Sequence, residues 1–172
     1  MKTATRVVAG DPTRATGESE RYGASRHVAR FAAIITVLLG CSVLLGWALD
    51  IAILKKCIPD AVATMKANTA TSFVLAGLSL AFQIEPHPSR RSMTIARGLA
   101  LLAASIGLLT LLEYLFGGDF GIDQLLATDA PDRFTLAPGR MAPGTALSFV
   151  FMGADLSTNL ACRGSRGALL GR

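Results

Sequence analysis

The stretch MKANTATSF at residues 65–73 returns later in the chain as MAPGTALSF at residues 141–149. Matching letters are a constant 76 residues apart, as from Met65 to Met141. Each copy is a short polar step that leads into a run of apolar and small residues. A repeat of this size indicates two copies of one supersecondary element. The sequence therefore predicts a chain made of two related halves.

The composition indicates where those halves lie. Of 172 residues, 51% are hydrophobic and only 17% are charged, and the mean hydropathy is +0.47. A soluble domain of this size carries about 25% charged residues, so the shortfall indicates a membrane protein. The net charge of +5 does not indicate a nucleic-acid partner, because the basic residues flank apolar segments and form no stripe with interleaved aromatics.

Four apolar segments are predicted to be membrane-spanning helices. The first carries no charge over 19 residues, which is enough to cross about 30 Å of hydrocarbon at 1.5 Å per residue. The fourth is the most polar of the set. The predicted spans are residues 31–49, 68–84, 98–116 and 145–161.

These spans predict an all-α, integral membrane four-helix protein built from two tandem helical hairpins. Residues 1–27 are predicted to be a flexible cytoplasmic tail because they are polar and have no apolar period. Residues 28–163 are the predicted membrane domain, and residues 164–172 are a second cytoplasmic tail.

The connections between the spans have distinct patterns. Residues 50–66 and 117–144 mix apolar and charged residues in a way that predicts short interfacial helices. Residues 85–97 contain two prolines and three arginines and are predicted to be a polar loop. Asn68 or Thr69 is the expected N-cap of the second span.

The distribution of basic residues predicts the topology. With four spans, both termini and the middle loop share one side, and that side carries twelve of the seventeen Lys and Arg residues. The positive-inside rule then places both termini in the cytoplasm.

No catalytic pattern is visible, and we expect no enzymatic activity, cofactor or metal site. There is no Gly-rich phosphate loop, no His-Glu-x-x-His and no Cys-x-x-Cys. The three cysteines are odd in number and widely spaced, so they predict neither a disulfide framework nor a metal cluster.

The two repeated helix starts are candidate binding positions. The first helix start contains Lys66, Asn68 and Thr69, and the second contains Arg140 and Thr145, so each start has a basic residue. Because helix N-termini favour anions, the pair could form one outward site for an anionic or polar ligand. The alternative is that these residues only cap the helices and shape the chain's return to the membrane.

Two carboxylates in or near spans are further candidates. Glu113 could bind a proton or a cation, because intramembrane carboxylates are often functional. The alternative is an interfacial carboxylate that is hydrogen-bonded near the start of a neighbouring span. Asp155 has the corresponding alternative of pairing with a nearby arginine.

Several motifs resemble the N-terminal membrane region of bacterial signalling proteins, in which a multi-span sensor precedes PAS, histidine kinase or diguanylate cyclase domains. The resemblance covers about residues 31–160, and its most specific parts are the run from Glu113 to Leu126 and the Pro-Gly-Arg-Met turn. The motifs are LGW at 45–47, TMKANTA at 64–70, EYLFG at 113–117, GIDQLL at 121–126 and PGRMAP at 138–143.

The resemblance implies a non-enzymatic sensor or membrane anchor in the inner membrane of a bacterium, whose output domain lies on a longer protein or on a partner. Its expected partners are the lipid bilayer, a second copy of the chain, or a signalling kinase or cyclase. The alternatives are a small transporter or channel, with Glu113 and Asp155 lining a path, and a structural subunit of a membrane complex.

Overall fold

This computed structural model describes residues 12–56, 64–86, 88–129 and 137–170. The regular secondary structure in these ranges is helical, and turns and bends connect the helices. Side chains are described for those residues that fall between 25 and 158. No strand occurs in these ranges, so the all-α prediction is confirmed there. The four helices are α1 (Pro12–Ala48), α2 (Ala67–Gln83), α3 (Arg90–Phe116) and α4 (Pro143–Leu170).

Helix α2 lies at the centre of the arrangement. It packs against α1, α3 and α4, while α3 also packs against α4. Among the described helices, α1 contacts α2 alone. Helix α1 therefore leaves much of its surface open, and large apolar side chains such as Phe31, Ile35 and Leu38 are exposed on it.

Close backbone approach through small residues defines the α1–α2 contact. A Cβ atom added to Gly40 would lie 2.7 Å from the carbonyl oxygen of Ala70. One added to Gly77 would lie 2.8 Å from Cγ2 of Val37 and 3.1 Å from the carbonyl oxygen of Ala33. Small residues let helices approach at this range, which favours van der Waals contact.

The α3–α4 contact is made in the same way. A Cβ atom on Gly107 would lie 2.5 Å from the carbonyl oxygen of Ala146, and one on Gly153 would lie 2.6 Å from the carbonyl oxygen of Ala100. Buried alanines, among them Ala96 and Ala103, continue this face of α3. The core is therefore narrow and made mostly of small side chains.

Aromatic residues connect the repeated stretches to the rest of the fold. Phe73 of α2 and Phe149 of α4 meet edge to face, with ring centroids 5.2 Å apart at 81°. The indole N–H of Trp47 donates to the carbonyl oxygen of Met65 at 2.9 Å. In the second half, the hydroxyl of Tyr114 donates to the carbonyl oxygen of Met141 at 3.1 Å.

Helix α1 begins earlier than the sequence pattern predicts. Residues 12–27 fall in the predicted flexible tail, yet the helix starts at Pro12. Proline suits the first helical position, where its missing N–H and fixed φ cost nothing. No further proline interrupts the chain before Ala48, so the helix of the apolar span can extend backwards by propagation alone.

Helices α3 and α4 are also longer than predicted. Helix α3 begins at Arg90 rather than at residue 98, because Ser89 is its N-cap and accepts a hydrogen bond from the backbone N–H of Ser92 at 3.1 Å. Helix α4 runs from Pro143 to Leu170 and so includes most of the predicted C-terminal tail at residues 164–172. Length alone therefore does not separate the apolar spans from their polar extensions.

The start of α2 differs from the prediction in its capping residue. Lys66 is the N-cap and makes no side-chain capping bond, and Asn68 and Thr69 lie inside the first turn. The amide Nδ2 of Asn68 donates instead to the carbonyl oxygen of Ile122, at 2.9 Å. A tertiary hydrogen bond has replaced the local cap.

The predicted short interfacial helices do not form in the described parts of the connections. Residues 51–56 are turns: Asp50 has a positive φ of 55°, and the N–H of Ile51 bonds back to the carbonyl oxygen of Gly46 at 2.9 Å. Residues 117–129 are likewise turns and bends. Residues 57–63 and 130–136 lie outside the described residues.

Two helical segments, Ser25–Ala48 and Arg90–Phe116, are long and apolar enough to cross a membrane, and no other described helix meets that criterion. The criterion is one of length and composition, which core helices and signal sequences can share. Only 17% and 28% of the apolar windows in these segments are buried, however. The crossing of all four predicted spans stays a prediction.

Candidate functional site

The candidate site is built where α3 ends and the chain turns back. Helix α3 is terminated by Gly117 in the left-handed conformation, with φ of 65°. A residue with a Cβ adopts that conformation at a cost. The following turn brings the backbone N–H of Phe120 to Oε1 of Glu113, at 2.8 Å. The carboxylate of Glu113 is thereby held at the helix end, fully buried.

Arg140 binds this helix end from the segment that precedes α4. Its Nε lies 2.6 Å from Oδ2 of Asp123 and 3.4 Å from Oε2 of Glu113. Its Nη2 donates to the carbonyl oxygen of Gly118 at 3.1 Å, and its guanidinium carbon lies 5.4 Å from the centre of the Tyr114 ring. We call Glu113, Asp123 and Arg140 the Arg140 cluster.

The turn that carries Arg140 requires a glycine. Gly139 has φ of 77°, and a Cβ atom there would overlap the backbone carbonyl of Asp123. The segment before α4 is thus pressed directly against the loop after α3, which explains why a Pro-Gly-Arg sequence stands here.

Burial makes the electrostatics of the Arg140 cluster strong. The side chains of Arg140, Asp123 and Glu113 are 9%, 6% and 0% exposed. Burial alone lowers the pKa of Arg140, but the hydrogen bond to Asp123 and the negative charges of Asp123 and Glu113 raise it by more, so the net pKa is raised. The guanidinium therefore stays charged at any physiological pH.

A second buried ion pair lies beside the cluster. Nζ of Lys66 is 2.6 Å from Oδ2 of Asp129, and the two side chains are 6% and 11% exposed. The same oxygen accepts a hydrogen bond from the backbone N–H of Gly139 at 2.9 Å. Asp129 therefore joins the start of α2 to the turn that carries Arg140.

The matching end of α1 carries an exposed pair instead. Lys55 binds Asp50, whose side chain is 92% exposed, and lies 4.4 Å from the centre of the Trp47 ring. The hydrogen bond and charge of Lys55 lower the pKa of Asp50. Of the two helix ends, only that of α3 has a buried charged cluster in the described residues.

The structure brings together four of the six predicted site residues. Lys66 and Asn68 at the start of α2 each bond to the loop that follows α3, and Glu113 and Arg140 belong to the cluster. Thr69 is buried and Thr145 half-buried, and neither hydroxyl bonds to a residue that the structure describes.

The contacts of the basic residues bear on the anionic-ligand hypothesis. Lys66 and Arg140, the two cations on which it depends, are both engaged by buried carboxylates. The alternative, in which these residues shape the start of the helices, agrees better with the contacts. Asp155 is exposed on α4, and it lies about 18 Å from Pro143 along the axis of that helix. It therefore does not lie beside Glu113.

Asp119, Asp123 and Asp129 were not among the site residues predicted from the sequence. A signal was present, because basic residues beside apolar helix starts need partners in low dielectric. Glu113, Asp119 and Asp123 each offer a carboxylate oxygen, and these oxygens lie within 4.8 Å of one another. They are the described residues that could hold a metal ion.

No family model matches the chain, and comparison with curated proteins and with solved structures finds no match either.

Proposed function

We propose that this chain is the sensor or membrane-anchoring module of a bacterial signal-transduction system, with four helices crossing the inner membrane. The observation that carries the proposal is the buried Arg140 cluster, which ties the loop after α3 to the helix ends. A change at the loop must then alter the packing of α3 and α4. The assignment to a signal-transduction system rests on the resemblance to the membrane regions of bacterial signalling proteins.

The exposed apolar faces support membrane insertion. Helix α1 exposes Ile34, Ile35 and Leu38, and α3 exposes Leu101 and Leu102, all to more than two-fifths of their area. A monomeric soluble protein rarely exposes contiguous apolar patches of this kind. Lipid would cover them without any loss of the small-residue contacts between helices.

Matched contacts support the proposal that the helices form two equivalent hairpins. Gly40 lies against Ala70 as Gly107 lies against Ala146, and the two alanines are 76 residues apart, like the repeated motifs. Phe73 and Phe149 occupy equivalent positions of the repeat, and their rings contact each other.

In this proposal the cluster lies on the outer side of the membrane and both termini lie inside. Helix α4 begins at Pro143, shortly after Arg140 on the outer side, and continues without a break to Leu170 on the inner side. A displacement of that start can therefore reach the cytoplasm as a shift of one rigid helix.

A reporter fusion tests the proposal. The full chain is joined after α4 to a diguanylate cyclase output domain, and cyclic-di-GMP is measured in cells. Thr69→Phe should change the output, because Thr69 is buried where α2 meets the loops. Thr94→Phe is the matched control, since Thr94 is exposed on α3. Equal output from wild type and both variants would count against the proposal.

A further inference from the structure

Three carboxylates converge at the end of α3, where no metal site was expected from the sequence. Glu113 comes from the last turn of the helix, and Asp119 and Asp123 come from the loop after it. An oxygen of each lies within 4.8 Å of the others. Glu113 and Asp123 are buried, and Asp119 is exposed at the surface.

Two of these carboxylates have a buried oxygen that no hydrogen bond satisfies. They are Oε2 of Glu113 and Oδ1 of Asp123. Oε2 of Glu113 is directed into the cluster, since it lies 3.4 Å from the Arg140 Nε that binds Asp123. A buried carboxylate oxygen that no hydrogen bond satisfies is costly, and Oε2 of Glu113 has only the 3.4 Å ion pair with Arg140, so the geometry leaves both oxygens open to a further ligand.

Arg140 does not balance the charge by itself. When all three carboxyl groups are ionised, they carry three negative charges against its single positive charge. The remainder of two charges matches a divalent cation. All the available donors are carboxylate oxygens, which suit hard cations and not thiol- or imidazole-seeking metals.

We propose that Glu113, Asp119 and Asp123 bind a calcium ion. Calcium takes about six to eight oxygen ligands in flexible geometry, which suits carboxylates that come from a helix end and a loop, whereas Mg²⁺ demands near-ideal octahedral geometry and gives up its waters reluctantly. Asp119 gives the ion a route from solvent. Binding itself is independent of the proposed function, and only the role of calcium as a stimulus rests on it.

The test is thermal unfolding of the purified full chain in detergent micelles, after treatment with chelator. Calcium at about 5 mM should raise the temperature of the unfolding midpoint. The calcium concentration that gives half of the maximal rise should be on the order of 10⁻⁴–10⁻³ M, as in weak extracellular sites. Asp119→Asn should need about ten times more calcium or more, because a charged ligand is lost. Asp119 is exposed, so this variant should fold as the wild type does in chelator.

Asp155→Asn is the matched control, since it removes an exposed carboxylate outside the cluster, and it should respond to calcium as the wild type does. The proposal is overturned if calcium gives no rise, if magnesium at equal ionic strength gives the same rise, or if Asp119→Asn keeps the wild-type response. These outcomes do not depend on membrane crossing or on the reporter, so a failure here is distinguishable from a failure of the proposed function.

Discussion

Arg140 forms ion pairs with two buried carboxylates and a hydrogen bond to a backbone carbonyl, all from the segment around the end of α3. The guanidinium can do this because its donors form a planar fork. Replacing one member of such a buried cluster leaves the others uncompensated, which is more damaging than the loss of an exposed pair. At the scale of single residues, the loop is therefore held by charge and not by apolar packing.

Arg140→Met should lower the free energy of unfolding by about 3–5 kcal/mol, because Glu113 and Asp123 would remain buried without their partner. Unfolding in detergent micelles, followed by the loss of helical circular dichroism, measures the change. Lys55→Met is the control, since the partner of Lys55 is 92% exposed, and it should alter stability little. Equal effects of the two variants would contradict the importance of the buried cluster.

At the scale of helices, the sequence pattern predicted the presence of all four and the bounds of α2 within a residue or two. That success has a physical cause, because the start of α2 is a short polar step after a loop and its apolar run ends in Glu85 and Pro86. The predicted bounds of α1, α3 and α4 were too short, because the polar ends of these helices were not predicted to be helical. Ser89 capped α3 ahead of its apolar run, and composition cannot separate a polar helical turn from a polar loop.

The close glycine contacts give a prediction at the same scale. Gly107→Ala should destabilise the protein by about 1–3 kcal/mol, because the new Cβ would lie 2.5 Å from the backbone oxygen of Ala146 and the helices would have to separate. Gly98→Ala on the same helix has nothing within 4 Å, so stability should be unchanged or rise by up to about 1 kcal/mol. The unfolding midpoints of the two variants in micelles check this, and the same loss at both positions would refute the packing argument.

The tertiary contacts of the candidate site were only partly accessible from the sequence. The repeat pointed to Lys66 and Arg140, and the position of Glu113 at the edge of a span pointed to it. Nothing local could pair Arg140 with Asp123 or Lys66 with Asp129, because those contacts depend on how the loop after α3 folds over the helix ends. The basic residues could be predicted as site residues from the sequence, but the carboxylates that pair with them could not.

At the scale of the whole molecule, the account requires two kinds of surface. The sides of α1 and α3 expose large apolar residues, as lipid would favour, and the end that carries the Arg140 cluster is a polar cap. The opposite end contains the short link between α2 and α3 and, directly after it, the first two residues of α3, the exposed Arg90 and Arg91. These two ends must lie on opposite sides of a membrane if the proposed topology is right.

The most direct measurement of that claim is cysteine labelling of intact cells with a membrane-impermeant maleimide, in a variant whose native cysteines are alanine. Leu125→Cys places the probe in the exposed loop of the cap, and Arg91→Cys places it at the exposed start of α3, at the opposite end. The account predicts that the Leu125 variant is labelled from outside and that the Arg91 variant is labelled only after the cells are permeabilised. Labelling of the Arg91 variant in intact cells, or recovery of the protein in the soluble fraction without detergent, would contradict it.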